Sequence, residues 1–439
     1  MYKVSKFSYS CKNDKGDLLL YNTLMGTNSF CKFKDSDINS IKDEKFLDKL
    51  SQEEALKLLE KGIIVEKNLD EEAILHETVL REISPSTLTI FINPTESCNF
   101  RCKYCYENHT SGMMQIATQN EIIRTVRDNI HHYTALHVSW FGGEPLLYPD
   151  CIEYLTNNFK KICKFNKRGY SASITTNGYL LDPEMFNKLL DLGIKSYQIT
   201  LDGIKETHDS YRVMNCGLPT YNKIYDNVLK IKKIKRRDYI INIRVNLTLD
   251  IKPYIKEFMQ SIDKLCRNDH RITVSLKKVG NWLNKSDGSI LKQLINDDNF
   301  LCDIYEQFIK TNYAININTN FLNPGGIVCY AAKRNNYFIP SNGSLHKCTV
   351  NFETIGTEIG EIKDGRIYHN AHYYSMISNS KKCKSFDTCF AAPLCCGDPC
   401  PLKTYDNHNC SIIDTQLNHI IILIDKNKPF FVIGDNSDE

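Results

Sequence analysis

The sequence predicts an α/β protein in which a mostly parallel sheet of six βα units lies between two smaller modules. From residue 87 onward, the extended runs TLTIFI, ALHVSWF, YSASITT, IKSYQITL, YIINIRVNL and RITVSLKKV alternate with helical segments near 115–130, 150–164, 183–192, 220–236 and 251–267. Strands separated by a helix are joined by crossovers and run parallel, in an open curved barrel or a doubly wound sheet. The flanking segments break this rhythm, with short strands and two helices before residue 85 and a dense field of cysteines after residue 328.

Bulk properties bound the function. A chain of 439 residues with 42% hydrophobic and 24% charged residues can bury more than one core, and two or three domains are expected. Lys plus Arg exceed Asp plus Glu by only 55 to 52, so no nucleic-acid partner is indicated. The basic run KIKKIKRR, residues 230–237, reads as the solvated face and end of a helix, with no interleaved aromatic platform. The opening MYKVSKFSYS has no apolar h-region, and no run reaches the roughly 18 apolar residues of a membrane span, so a cytoplasmic protein without a membrane partner is expected.

Residues 1–85 read as a separate module. YKVSKFSYS and DLLLYNTLMGTNSF are strands around the turn CKNDKG. SQEEALKLLEKG is a helix opened by a capping box and closed at Gly62, and LDEEAILHETVLREI is a second helix leading to Pro85. A helix feeding a small wing of strands follows, and it either caps the main core or holds a peptide by strand addition.

Eighteen cysteines without a secretion signal point to metal or iron–sulfur ligation rather than to disulfides. Seven (Cys11, Cys31, Cys151, Cys163, Cys216, Cys266, Cys302) are scattered and are expected to pack as small hydrophobes. Cys98, Cys102 and Cys105 follow the first strand at spacings of four and three. A tetrahedral zinc site needs a fourth ligand, for which His109 is the nearby candidate; otherwise the centre is one ligand short. FGGEP (Phe141 to Pro145), TNG (Thr176 to Gly178) and LDG (Leu201 to Gly203) follow the next three strands, and Arg244 falls within the fifth. Any one of these is a tight turn that needs glycine. Together they sit on one predicted face, at the strand ends where chemistry collects in parallel sheets.

The CxxxCxxC pattern, with Tyr104 before and Tyr106 after its last cysteine, resembles the signature of the radical S-adenosylmethionine superfamily. The resemblance implies a partial (β/α)6 TIM-like barrel over residues 86–320, in which three thiolates hold a [4Fe-4S] cube and S-adenosylmethionine chelates the remaining iron. An electron passed through the cube would release methionine and a 5'-deoxyadenosyl radical that takes hydrogen from substrate. Gly142, Gly143, Glu144 and Pro145 resemble the turn that meets the methionine amino group. Thr200 stands near the expected ribose, and Asn177 and Arg244 match positions of the same pocket, Arg244 as a fork for the methionine carboxylate. Asp202, His208, Asp209 and Arg212 resemble a stretch of the peptide-modifying branch, although a salt-bridged loop explains His208 and Arg212 equally well.

The C-terminal cysteines, over residues 321–439, are similar to the SPASM extension, which carries two auxiliary [4Fe-4S] clusters. With the first cube this makes three. By that resemblance Cys329, Cys348 and Cys400 hold one auxiliary cluster; Cys383, Cys389, Cys410 and either Cys395 or Cys396 hold the other. Two features depart from the pattern. Phe386 stands where the late group should open with a cysteine, and the doubled Cys395–Cys396 leaves the register open: spacing back from Cys400 favours Cys396 and spacing forward from Cys389 favours Cys395, the preferred choice. With three assigned ligands, the fourth iron of the first auxiliary cluster is either open, to bind a substrate thiolate, or closed by a nearby side chain. A pair of zinc-ribbon-like sites is the alternative for this field.

The N-terminal module resembles the winged-helix-like domain with which peptide maturases grip the leader of a ribosomally made precursor. The resemblance therefore implies a radical enzyme, served by a reducing donor such as flavodoxin or ferredoxin, that crosslinks a precursor peptide. A thioether is the first expectation and a carbon–carbon or other carbon–heteroatom bond the second. The alternatives are maturation of a protein side chain, such as formylglycine formation in a sulfatase, and a zinc- or cluster-stabilised interaction protein without turnover.

Overall fold

The computed structural model describes residues 2–34, 40–42, 45–109, 112–281, 288–297, 299–352, 354, 356–378, 383, 385–397, 400–401, 414–428 and 430–433. Strands β1 (Tyr2–Val4), β2 (Ser8–Lys12), β3 (Leu18–Asn22), β4 (Gly26–Phe33) and β5 (Ile64–Glu66) form the N-terminal part, with helices Gln52–Glu60 and Glu71–Ile83. Both helices begin where the side-chain chemistry says they should. Ser51 and Glu54 close a reciprocal capping box, and Asp70 accepts from the amides of Glu72 and Ala73. The expected second strand is broken in two: Ser29 and Asn22 turn the chain between β3 and β4, with Gly26 in the left-handed region at φ 63°.

The central sheet contains all six expected strands: β6 (Thr87–Ile92), β8 (Ala135–Trp140), β9 (Gly169–Thr176), β10 (Ile194–Thr200), β12 (Ile240–Leu247) and β13 (Ile272–Lys278). Between β6 and β8 comes β7 (Phe100–Cys102), and between β10 and β12 comes β11 (Arg212–Met214). Helices Ile116–Asn129, Pro149–Phe165, Pro183–Asp191, Tyr221–Lys232 and Ile255–Cys266 supply the crossovers. A seventh strand, β14 (Asn336–Ile339), joins the outer edge of β6, giving the order β13-β12-β10-β9-β8-β6-β14 with every pairing parallel. This is a partial TIM-like barrel extended by one strand. In NYFI all four residues are buried, so β14 shows none of the period-2 alternation that marked the others.

Two further strands, β15 (Gly360–Lys363) and β16 (Arg366–His369), make a hairpin, and β17 (Phe431–Ile433) closes the described chain. β17 pairs parallel with β4, so the four-stranded N-terminal sheet has the order β17-β4-β3-β2. Two pairings thus link segments expected as separate domains, β17 to β4 and β14 to β6. β3 is buried at every position: Leu18 and Leu20 face a core with Phe46, Leu58 and Ile433, whereas Leu19 and Tyr21 join the main core. Six of the scattered cysteines are buried as expected; Cys216 is exposed in a turn.

Strand alternation determines where the cavity lies. In β12, Ile241, Ile243, Val245 and Leu247 are at most 1% exposed beneath the helices, each burial contributing about 1.5–3 kcal/mol, while Asn242, Arg244 and Asn246 point to the other face. The same division puts Ser139, Thr175, Gln198 and Thr200 on the inner face, so the sheet's concave side is polar.

The C-terminal segment is stapled to this sheet by one buried cation. Lys347, 1% exposed, donates to the carbonyls of Lys333, Arg334 and Asn336 at 2.6, 2.9 and 2.8 Å, between the rings of Tyr337 and Tyr373. Burial pushes its ammonium down to about 7, and three carbonyls with two ring faces oppose that shift. Among the described residues no helix is long and apolar enough to cross a membrane.

Candidate cofactor site

The loop after β6 carries Cys98, Cys102 and Cys105, and its shape is imposed by backbone contacts. β7 pairs antiparallel with β11, placing Arg212 opposite Cys102. The Lys103 amide donates to Tyr211 O, the Asn215 amide to Asn99 O, and the Cys105 amide turns back onto Cys102 O at 3.0 Å. From the other side comes the Phe141–Pro145 turn. The Gly143 amide reaches Thr95 O at 3.3 Å, and the Glu144 amide reaches Ser97 O at 2.9 Å. A β carbon on Gly143 would lie 2.4 Å from both Glu96 O and Ser97 O, and one on Gly142, at φ 113°, would lie 2.5 Å from Thr95 O. The two glycines are what let the turn touch the cysteine loop.

These loops enclose a cavity of about 500 Å³. Cys98, Cys102, Cys105, Gly142, Gly143, Asn177, Thr200 and Arg244 all line it. Burial pushes the Cys98 and Cys105 thiols up to about 12, and the neighbouring sulfurs add to the shift. The Phe100 amide lies 3.3 Å from Cys98 Sγ, Asn177 Nδ2 donates to Asn99 Oδ1 at 2.8 Å, and Arg244 Nε donates to Asn246 Oδ1 at 2.9 Å. His109 also reaches the wall, with Nδ1 3.2 Å from Glu96 O.

Three expected site residues lie behind the wall. Glu144 is fully buried, and its carboxylate accepts from Leu146 N (3.0 Å), Thr176 Oγ1 (2.7 Å) and Asn177 N (2.7 Å). It therefore clamps the end of β9 to the glycine turn instead of presenting an oxygen to an ammonium group. Burial pushes its carboxyl up, and the three donors oppose that. Pro145 opens the short 3-10 turn Pro145–Leu147 and is buried. Asp202 accepts from Asn246 N at 2.7 Å and from Tyr104 Oη, with Arg212 Nε 4.0 Å away. Arg212 Nη1 in turn donates to Tyr104 Oη at 2.8 Å. In this group Asp202 is buried, while Tyr104 and Arg212 line the cavity, with Arg212 opposite Cys102.

His208 resolves to a structural role. Its Nδ1 accepts from the Asp202 amide (3.1 Å), so the proton sits on Nε2 and faces Thr220 Oγ1 (3.1 Å), which donates to Arg212 O. Burial and Arg212 hold this imidazole well below its ordinary range, hence neutral. Asp209 accepts from the amides of Thr220 and Tyr221 and anchors the start of the next helix.

Further wall residues follow from the same alternation. Gln198 is two positions before Thr200 and Asn246 two after Arg244, so the period of 2 marks both; Tyr330 and Thr349 directly follow Cys329 and Cys348. The late cysteines separate into two neighbourhoods. Cys329 hydrogen-bonds Cys400 and lies beside Cys348. Cys383, Cys389 and Cys396 share an apolar cluster with Phe386, whereas Cys395, expected as the better register, lies outside that cluster, with its sulfur 3.4 Å from the Gly397 amide. Phe386 is buried against the ring of His76 and the face of Gly397. Cys410 lies outside the described residues.

A parallel sheet whose strand ends converge three cysteines, a glycine turn and polar side chains on one cavity defines a cofactor-binding α/β domain. Residues 92–275 match the model of the Radical SAM superfamily. That segment carries the three cysteines and the glycine turn that line the cavity, and a match of this kind implies S-adenosylmethionine and a [4Fe-4S] cluster. The chain is similar to the cysteine-type anaerobic sulfatase-maturating enzyme of Clostridium perfringens (strain 13 / Type A), 28% identical over 209 residues, 43% of this chain and 56% of that enzyme. The match spans only 29% to 56% of the length of the first curated relatives. Among solved structures, native anSMEcpe with bound AdoMet and Cp18Cys peptide aligns with a TM-score of 0.58 at 20% identity, over 77% of this chain and 96% of that one. Streptococcus suis SuiB bound to precursor peptide SuiA aligns with a TM-score of 0.50 at 16% identity, over 99% of each chain. These two likenesses concern the fold.

The glycine contact gives a direct test. Gly143→Ala should push the turn from the cysteine loop at a cost of roughly 1–3 kcal/mol, as overpacking does, and weaken S-adenosylmethionine binding about tenfold or more by equilibrium dialysis. Unchanged affinity would show that the close approach is not needed.

Proposed function

We propose that the chain is a radical S-adenosylmethionine maturase that installs a crosslink in a ribosomally made precursor peptide, a thioether first and a carbon–carbon or other carbon–heteroatom bond second. The observation that carries this reading is the shared cavity: three cysteines form one wall, and Tyr330 and Thr349, the neighbours of Cys329 and Cys348, form another. When bound, the cluster and S-adenosylmethionine supply an electron and a 5'-deoxyadenosyl radical able to abstract hydrogen.

The chain's own residues bind and orient. Cys98, Cys102 and Cys105 would hold the cluster, in a soft thiolate set suited to iron. Gly142 and Gly143 allow backbone approach to the methionine end, and Arg244, held by Asn246, offers its fork to a carboxylate. Thr200 and Asn177 supply hydrogen-bond groups along the same wall. Glu144 and Asp202 position these residues from behind the wall, while Tyr104 and Arg212 reach the cavity. Cys329, Cys348 and Cys400 would hold one auxiliary cluster; Cys383, Cys389, Cys410 and one of Cys395 or Cys396 would hold a second.

The peptide partner is proposed to dock on residues 1–85, with a flavodoxin- or ferredoxin-like donor supplying electrons. Support comes from the sheet-bearing N-terminal part and from the likeness to SuiB over 99% of the chain, a protein crystallised with its precursor peptide. The sulfatase-maturating relative keeps a second reading in view, maturation of a protein side chain.

Cys102→Ala should abolish deoxyadenosine formation from S-adenosylmethionine under reducing conditions, read by liquid chromatography; retained formation would remove the primary site assignment. For the docking surface, hydrogen exchange with and without the precursor peptide should show protection of amides in residues 1–85. Protection confined to residues beyond 85 would contradict the docking role.

A further inference from the structure

The central sheet has a second cavity at its other end. Ser171, Ser196 and Ile240, near the starts of β9, β10 and β12, line a recess of about 780 Å³, the size of a small-molecule site. Each stands four positions, about 13 Å of strand, before Thr175, Thr200 or Arg244 at the cofactor cavity. Around the recess converge Lys160 and Lys164 from the end of helix Pro149–Phe165, Arg168 from the turn that follows, Lys195 from β10 and Arg237 from the end of the basic run KIKKIKRR. Among the described residues Asp238 is the one carboxylate on this wall.

The fold uses part of this positive charge and leaves the rest. Arg236 and Lys195 bind Asp238 at 3.0 and 3.2 Å and hold its carboxyl well below the usual range, so that its charge is already countered. Lys160 Nζ donates to the Asp191 carbonyl (3.3 Å) and Arg168 Nη2 to the His131 carbonyl (3.1 Å), while Arg168 Nε is buried with no acceptor among the described residues. The side chains of Lys164 and Arg237 make no hydrogen bond or ion pair among the described residues. A cation near a helix C-terminus answers the helix dipole, which accounts for Lys160 and Lys164. Lys195 and Arg237 stand at or before strand starts, where that reason does not apply. Like charges gathered around one hollow repel, and a bound anion relieves the repulsion.

We propose that this recess is a second binding site, separate from the cofactor cavity, for an organic polyphosphate of nucleoside-triphosphate size, held by Lys164, Lys195 and Arg237. Phosphate oxygens suit such a set, since the Arg237 fork can bind two of them at once and the lysines act as point charges. Ile240, 55% exposed on the same wall, offers apolar surface to the organic part, which a bare phosphate would not use. Cations brought from three segments around one hollow fit a compact ligand with several charges on few atoms. An acidic peptide spreads its charges along an extended chain and needs a groove instead.

The test is equilibrium dialysis of the full, reconstituted chain against radiolabelled ATP, with S-adenosylmethionine saturating so that the cofactor cavity is filled. ATP should bind, and the double variant Lys164→Ala with Arg237→Ala should weaken it about tenfold or more. S-adenosylmethionine affinity, measured separately, should be the same in the parent and the variant, which shows that the variant is folded. Inorganic phosphate should bind about tenfold or more weakly than ATP. Absence of ATP binding, or equal affinity in parent and double variant, would overturn the inference. Phosphate binding as tightly as ATP would also overturn it, leaving a simple anion site. A short single-stranded RNA that binds more tightly than ATP and is lost in the same variant would overturn it in favour of a nucleic-acid surface.

Discussion

Gly143 has backbone carbonyls where a side chain would begin, and this crowding determines much of the site. With Glu96 O and Ser97 O each 2.4 Å from the position of a β carbon, the turn after β8 and the loop after β6 lie closer than any L side chain permits. The Gly143 and Glu144 amides then satisfy carbonyls of the cysteine loop, while the β7–β11 ladder holds its other side. Glu96, in the same loop, accepts from both the amide and the hydroxyl of Ser341, tying the C-terminal segment to the same backbone. The thiols are consequently placed by main chain on both flanks, leaving the sulfurs available to a ligand.

Buried charge makes this frame specific as well as firm. Glu144 and Asp202 are almost fully buried, yet each accepts at least two hydrogen bonds, and Arg212 stands beside Asp202 and over the rings of Phe100 and Tyr104. Such groups are expensive to desolvate and tolerable only when paired. Their partners come from β9, β12 and the cysteine loop, so alternative packings of those elements would strand a charge. Rigid placement of this kind suits a site that must orient a reactive species and exclude competing reactions.

Much of this was legible in the chain because period-2 alternation and glycine-marked turns are local signals. The six strands, their crossover helices and the convergence of the turns on one face all follow from residue spacing. β14 was not legible, since four buried residues carry no alternation and its partner β6 lies more than 240 residues away in sequence. β17 was hidden for the same reason, with a parallel partner at the opposite end of the chain. Glu144 shows a different limit. Composition identifies a carboxylate beside a glycine turn, but only three-dimensional packing reveals that its oxygens point at Leu146, Thr176 and Asn177. Among the late cysteines, spacing forward from Cys389 favoured Cys395 and spacing back from Cys400 favoured Cys396; the left-handed backbone at Cys396 (φ 55°) and Gly397 (φ 83°) carries Cys396 into the Cys383–Cys389 neighbourhood.

Iron content separates a radical mechanism from a zinc-stabilised fold. Metal and acid-labile sulfide per chain, measured on protein purified and reconstituted without oxygen, test the radical mechanism most directly. Three cubes predict about twelve irons with matching sulfide and broad charge-transfer absorbance. Zinc without iron, in colourless protein, would contradict the radical mechanism and leave a zinc-stabilised fold in its place.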